Sequence, residues 1–288
     1  MYRITNYHTH CTFCDGKNTV EENINKAKAL GLSALGFSSH MALPFALDCH
    51  VAMQNAASYF DTIRVLKEKE SATIEILAGV EAEYISGITS PDKALYKQFK
   101  PDYIIGAVHY IVCDVQKKHP LPYLFSVDAK TEAVQQGLDR LFHGDGKKAV
   151  QTYFALQRDM IQNCDFNIIA HPDVIRKRNG VLHFFDETDG WYRRELKATA
   201  RVIAQSGKVT EINTGGMTRA GMTNPYPSAD FLQLLRAYDA PVMLNSDSHQ
   251  AQHLCAHFED GLSAALAAGY RELWYFSGGT WHSQKIPA

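Results

Sequence analysis

ITNYHTHCTFCDGKNTVEENINKAKALGLSALGFSSH, residues 4–40, reads as strand, helix and strand in succession. ITNYHTH (4–10) and SALGFSSH (33–40) are short β-rich segments. TVEENINKAKALG between them has helical periodicity, with Thr19 and Glu22 in capping-box spacing and Gly31 as a stop. Two strands joined through a helix pair in parallel. The same alternation extends outward through TIEILAGVEA (73–82), DYIIGAVHY (102–110), FNIIAHPD (166–173), KVTEINT (208–214), PVMLNSDSH (241–249) and ELWYF (272–276). Amphipathic stretches at 58–70, 191–207, 228–239 and 260–269 supply crossover helices. The pattern predicts an α/β barrel or a doubly wound sheet of seven or eight strands. The longest interval without a clear strand, 111–165, reads as a long functional loop followed by a helix over 147–163. With no repeat, low-complexity tract or linker, residues 1–288 read as one domain.

The 288 residues are 45% hydrophobic and 21% charged, with 29 basic against 31 acidic side chains. That balance excludes a disordered chain and argues against an electrostatic nucleic-acid binder. No apolar run approaches the ~18–20 residues of a membrane span. The opening residues MYRITNYHTH lack the apolar stretch of a secretory signal, and six cysteines are too sparse for a disulfide framework. A cytoplasmic protein is expected.

Chemistry collects where the strands end. The first closes on His8-Thr9-His10, the second on His40, the third on Glu81 or Glu83, the fourth on His109, the fifth on His171 and the seventh on Asp247-Ser248-His249. Strand residues i and i+2 share a face, so His8 with His10, and Asp247 with His249, can converge on one ion. In α/β barrels the functional face lies at the C-terminal ends of the strands. Buried imidazoles need partners, and so many strand-terminal histidines are poorly explained by core packing. Imidazole with carboxylate suits zinc, manganese and iron, and points to a polynuclear metal site. Cys11-x-x-Cys14 lacks the second pair of a structural zinc site, and His253-x-x-x-His257 lacks the Glu of a zincin helix. His50, His119, His143, His183 and His282 have no motif around them, and Gly278-Gly279 reads as a turn.

The order His8-x-His10, Asp15, His40, Glu81, His109, His171, Asp247-x-His249 resembles the polymerase and histidinol phosphatase (PHP) superfamily. SSHMALP, GVEAEYI, GAVHYI, HPDVIRK, EINTGG, PYPS (225–228) and NSDSH resemble its histidinol-phosphatase branch, over essentially the whole chain. The resemblance implies a distorted (β/α)7 TIM-like barrel with up to three divalent ions. It assigns His8, His10, Glu81 and Asp247 to one ion, and has Glu81 bridge to a second held by His109 and His171. Asp15, His40 and His249 would hold the third. It implies hydrolysis of L-histidinol phosphate to L-histidinol and phosphate, a step of histidine biosynthesis.

Metal ions ~3.5–4 Å apart can share a hydroxide that attacks phosphorus, and Glu81 and Asp247 stand at that chemistry. The leaving alcohol needs a proton, from Asp247 or from a metal-bound water. A phosphate monoester also calls for arginine, whose fork matches its oxygens. Arg176 matches the arginine of the HPDVIRK-like segment and is the leading candidate. Arg219 is the second, because this chain has Met217-Thr218-Arg219 where the branch commonly has Leu-Arg-Lys. Glu211 would meet a substrate ammonium or serve the fold, and Tyr123 and Phe125 would wall the pocket. The expected partner is a small-molecule phosphate monoester, without nucleic acid or membrane. The alternatives are another phosphate monoester or a nucleotide as substrate, and a non-catalytic metal-binding regulatory module. An amidohydrolase barrel would leave Asp15, His40 and the final D-x-H unexplained.

Overall fold

The computed structural model describes residues 2–113 and 120–287. Seven parallel strands form one sheet in sequence order: β1 (Thr5–Asn6), β2 (Ala34–Phe37), β3 (Glu75–Glu83), β4 (Tyr103–Ala107), β5 (Ile168–Ile169), β6 (Val209–Asn213) and β7 (Val242–Asn245). The sheet curls until a parallel bridge between Thr9 and Ser248 joins its two edges, giving a nearly closed α/β barrel. The helices α1 (Val20–Ala29), α2 (Ala56–Lys69), α3 (Thr131–Phe142), α4 (Gly146–Asn163), α5 (Gly190–Ser206), α6 (Ala229–Ala237) and α7 (Phe258–Ala267) join or flank the strands. α1 begins as its spacing predicts. Thr19 accepts from the Glu22 amide, and the Glu22 carboxylate accepts from the Thr19 amide.

Two apolar layers hold the barrel. Leu35, Phe37, Phe60, Val80 and Phe154 belong to the larger one, which packs strands against helices. The smaller fills the barrel with Tyr7, Leu77, Tyr103, Ile105, Ile168, Val209 and Met243. Tyr103 lies across β2 and β3 because Gly36 and Gly79 leave room. A Cβ at either would come within 2.4 Å of its ring or hydroxyl. Its hydroxyl donates to the Tyr7 carbonyl at 2.6 Å, just beneath the strand end that carries His8.

The eighth predicted strand is real but stands outside the barrel. β8 (Glu272–Ser277) pairs antiparallel with β9 (Thr280–Lys285) through the turn at Gly278-Gly279, and both glycines have positive φ. Ser277 bonds Glu75 and the Arg3 amide bonds Gln284, so this hairpin closes the end where the strands begin. Phe276 joins the interior layer there. The expected long loop after β4 is also more ordered than the sequence suggests. Tyr110–Val112 and Leu124–Ser126 form a small antiparallel hairpin, followed by α3; residues 114–119 of that interval lie outside the described residues. The helix expected at 147–163 is α4.

Candidate metal centre

At the opposite end, each strand runs on into polar residues. The His10 amide donates to the Ser248 carbonyl (2.8 Å) and the Ser248 amide to the His8 carbonyl (3.1 Å), which extends the β1–β7 contact. Alternation turns Thr9 away and sends His8 and His10 to the same side. A bridge between His40 and Glu81 extends β2 along β3 in the same way. The chain then doubles back at Cys11–Gly16. A Cβ at Gly16 would stand 2.4 Å from the Cys11 amide nitrogen, so only glycine permits the turn that brings Asp15 back to His10. Asp247 has φ 48°, a left-handed conformation costly for a residue other than glycine and common where side chains are held for function.

These ends assemble the cluster around Glu81, which is 1% exposed. Its Oε2 lies 3.1 Å from His8 Nε2, 3.5 Å from His10 Nε2 and 3.1 Å from His40 Nδ1. Its Oε1 lies 3.1 Å from His171 Nε2 and 3.5 Å from His109 Nε2, and those two nitrogens are 3.1 Å apart. Asp247 Oδ1 stands 3.2 Å from His10 Nε2 and 3.6 Å from His8 Nε2. Nearer the mouth, His249 Nε2 is 3.3 Å from Asp15 Oδ2, and the His249 ring stacks on His10 with centroids 4.0 Å apart. His10, Asp15, His40 and His249 each offer a donor atom within 4.8 Å of the others.

The donors fit divalent ions. Ligands at ~2.1 Å from a tetrahedral ion stand roughly 3.4 Å apart, and the separations above bracket that value. His8 Nε2, His10 Nε2, His40 Nδ1, Asp15 Oδ1 and Glu81 Oε2 are buried atoms without a hydrogen-bond partner among the described residues, an arrangement that costs stability unless something binds them.

The charges agree. Burial pushes the Glu81 carboxyl upward, but His8, His40 and His109 overcome this and hold it well below the usual carboxylate range. Burial likewise opposes Asp247, whose carboxyl Arg219, His8 and His10 hold far down. Burial presses His109 downward, and Glu83 and Glu81 reverse that and lift it to about 10. At His40 burial wins over Glu81 and Asp15, and the ring is pushed down to about 4.

All nine sequence-predicted donors thus meet at one end of the barrel. Of the two candidate carboxylates on β3, Glu81 points into the cluster and Glu83 stands behind His109, 2.6 Å from its Nδ1. Glu211 is enclosed by protein groups, as the fold-serving role expects. It is fully buried behind His8, accepting from His8 Nδ1 (2.9 Å), the His171 amide (2.9 Å), Asn213 (2.6 Å) and Asn245 (3.0 Å). The two arginines stand differently toward the cluster. Arg219 places one nitrogen 2.5 Å from Asp247 Oδ2 and another 2.9 Å from the His249 ring. Arg176 instead donates to Glu187 (3.0 Å) and to the Pro225 carbonyl (3.4 Å), clasping the 225–228 turn. Phe125 packs on Phe142 in the hairpin–helix contact, while Tyr110 lies beside His50 and His109. His50 itself, placed by no motif, has its Nε2 3.6 Å from Glu83. The Cys14 thiol reaches the far nitrogen of His10 at 3.4 Å.

Known proteins resemble this chain to different depths. The model of the PHP domain matches residues 6–215. A Deinococcus radiodurans protein named "Probable histidinol-phosphatase" is 24% identical over 274 residues, 94% of this chain and 96% of that one. A Schizosaccharomyces pombe protein of the same name is 25% identical over 284 residues, 91% of this chain and 84% of that one. Two solved structures share the fold. That of the "putative histidinol phosphatase hisK" of Listeria monocytogenes aligns with a TM-score of 0.76 and 20% identity, covering 88% of this chain and 98% of that one. That of histidinol phosphate phosphatase from Lactococcus lactis, complexed with zinc, L-histidinol and phosphate, aligns with a TM-score of 0.65 and 21% identity, covering 97% and 99%.

Proposed function

This chain belongs to the PHP domain family, and from that premise we propose that it is a metal-dependent phosphatase that hydrolyses L-histidinol phosphate. The observation that carries the reading is the guanidinium of Arg219 set against a cluster rich in metal donors. Imidazole and carboxylate in this number suit divalent ions, and a planar cationic fork beside them suits phosphate oxygens. The names of the Deinococcus and fission-yeast relatives, and the ligands of the Lactococcus structure, support the choice of substrate.

Bound ions would supply positive charge against the phosphoryl oxygens and a water of lowered pKa. His8, His10, Glu81 and Asp247 would hold one, Glu81, His109 and His171 a second, and Asp15, His40 and His249 a third. Glu81 suits the shared position because its two oxygens face different groups of histidines. Arg219 would bind the outer phosphate oxygens, oriented by Asp247, which stands as a carboxylate and so accepts from the guanidinium. An ionised Asp247 is a ligand and an acceptor; the proton for the leaving alcohol then has to come from water or another group. Arg176 would serve the site by holding the turn that carries Tyr226, whose ring lies 6.2 Å from that of His171.

Phosphate release from histidinol phosphate, nucleotides and sugar phosphates, measured with metal content on the same sample, tests the reading. We expect kcat/KM highest for histidinol phosphate and lost on chelation. A preference for nucleotides or another monoester would move the protein elsewhere among the phosphoesterases. Metal binding without turnover of any of them would make it a binding module.

A further inference from the structure

Among the described residues, two buried carboxylates stand behind the histidines around Glu81: Glu83, which also groups with His40 and His50, and Glu211. We propose that they are positioning residues that fix His109 and His8 as Nε2 ligands on either side of Glu81, and that Glu83 is the weaker support. This rests on the reading of the cluster as a metal centre.

An imidazole is fixed to present one nitrogen to a metal when the other is committed elsewhere, and a carboxylate accepting the Nδ1–H makes that commitment while strengthening the donor. Both pairs have that geometry. His109 Nδ1 meets Glu83 Oε1 at 2.6 Å while its Nε2 faces Glu81 and His171. His8 Nδ1 meets Glu211 Oε2 at 2.9 Å while its Nε2 faces Glu81 and Asp247. His171 is the counter-case: its Nδ1 is buried without a partner among the described residues, so no carboxylate commits that nitrogen while its Nε2 faces Glu81 and His109.

The supports differ in how firmly they are themselves held. Glu211 accepts from two asparagine side chains and a backbone amide besides His8, so its oxygens are fixed whatever His8 does. Glu83 has a thinner frame: its Oε2 accepts a long bond (3.4 Å) from the amide of His109 itself, and no asparagine holds it. Its Oε1 is the meeting point of three imidazoles, with His109 at 2.6 Å, His50 at 3.6 Å and His40 at 3.7 Å. His50 comes from the segment between β2 and α2, where its Nδ1 contacts the Cys49 thiol at 3.2 Å. Glu83 is therefore steadied by histidines, one of which, His40, is also claimed by Glu81. Loss of either carboxylate should loosen metal at its own side, and loss of His50 should loosen the Glu83 side alone.

Zinc bound at buffered free zinc, with release to a chelator, reads this without substrate. Removing a partner of this kind typically weakens metal about 10–100-fold. We expect Glu83→Gln to weaken one equivalent by about tenfold or more, and His50→Phe to weaken the same equivalent less while preserving ring volume. Glu211→Gln should weaken a different equivalent. High free zinc should restore occupancy and turnover, and the metal-free proteins should melt as the wild type does. If Glu83→Gln fails to fold, His50→Phe carries the test of that side and Glu211→Gln that of the other. Zinc affinities within about twofold of the wild type would overturn the inference while leaving the metal centre intact. A wild type that holds no zinc would remove the metal centre, and this inference with it.

Discussion

The ligand cluster has a deep half and a rim, and they are built differently. His8, His10, Glu81, His109, His171 and Asp247 are at most 5% exposed, sit on strand ends and are backed by Glu83, Glu211 and the asparagines of β6 and β7. The rim is Asp15, His40, His249 and Arg219, with side chains 13–33% exposed and carried on loops or on the short helix after β6. The deep half resembles a core in which polar groups replaced apolar ones, and its geometry is inherited from the barrel. The rim depends on local turns such as that at Gly16. Rigid placement suits ions that must stay; partial exposure suits groups that meet a substrate and release a product.

The sharpest way to break the contrast is at Glu81. Because its two oxygens serve two groups of histidines, Glu81→Ala should empty more than one ion and lower turnover by about 10³-fold or more. Circular dichroism should still show a folded barrel. By comparison, His249→Ala should remove one ion at the rim, spare the deep ones and cost about a hundredfold. Equal metal loss from both variants would erase the distinction between the halves.

The two arginines sharpen it from the substrate side. Losing a charge-assisted contact to phosphate costs about 1.5–3 kcal/mol, so Arg219→Ala should lower kcat/KM roughly ten- to more than hundredfold. Arg176→Ala should act mainly on stability, lowering the melting temperature by releasing Glu187 and the 225–228 turn. A larger kcat/KM loss from Arg176→Ala, with unchanged stability, would restore it as the phosphate ligand.

The different settings of the two arginines show how far the residues alone can be read. Strand alternation and the habit of apolar segments ending in histidine brought most of the donors to one end of a barrel or doubly wound sheet, while Asp15 and the count of seven strands came only with the family resemblance. The strand ELWYF has the same local pattern as a barrel strand, and only its antiparallel partner after Gly278-Gly279 puts it outside. Arg176 and Arg219 look alike in sequence; Glu187, eleven residues away in the chain, is what commits the first. Glu83 was visible as the i+2 neighbour of Glu81, but its role depends on His109 from the next strand. His50 carried no signal, because it reaches Glu83 only through the folding of an irregular segment.

The deep half also carries a pH dependence. In the metal-free protein His109 keeps its proton up to about pH 10, since Glu83 and Glu81 outweigh burial. An ion at its Nε2 must displace that proton, so affinity at this position should rise as pH increases below about 10, by about tenfold per unit for each proton released. Zinc titrations at pH 6, 7 and 8 should show that rise for the deep half, and Glu83→Gln should flatten it.

The central claim is that the carboxyl end of this barrel is a polynuclear metal centre, and metal content tests it most directly. Protein purified without chelators and titrated with zinc or manganese should hold more than one equivalent, approaching three at saturation, and His249→Ala should hold about one fewer. A single ion at saturating metal, unchanged in His249→Ala, would contradict the account.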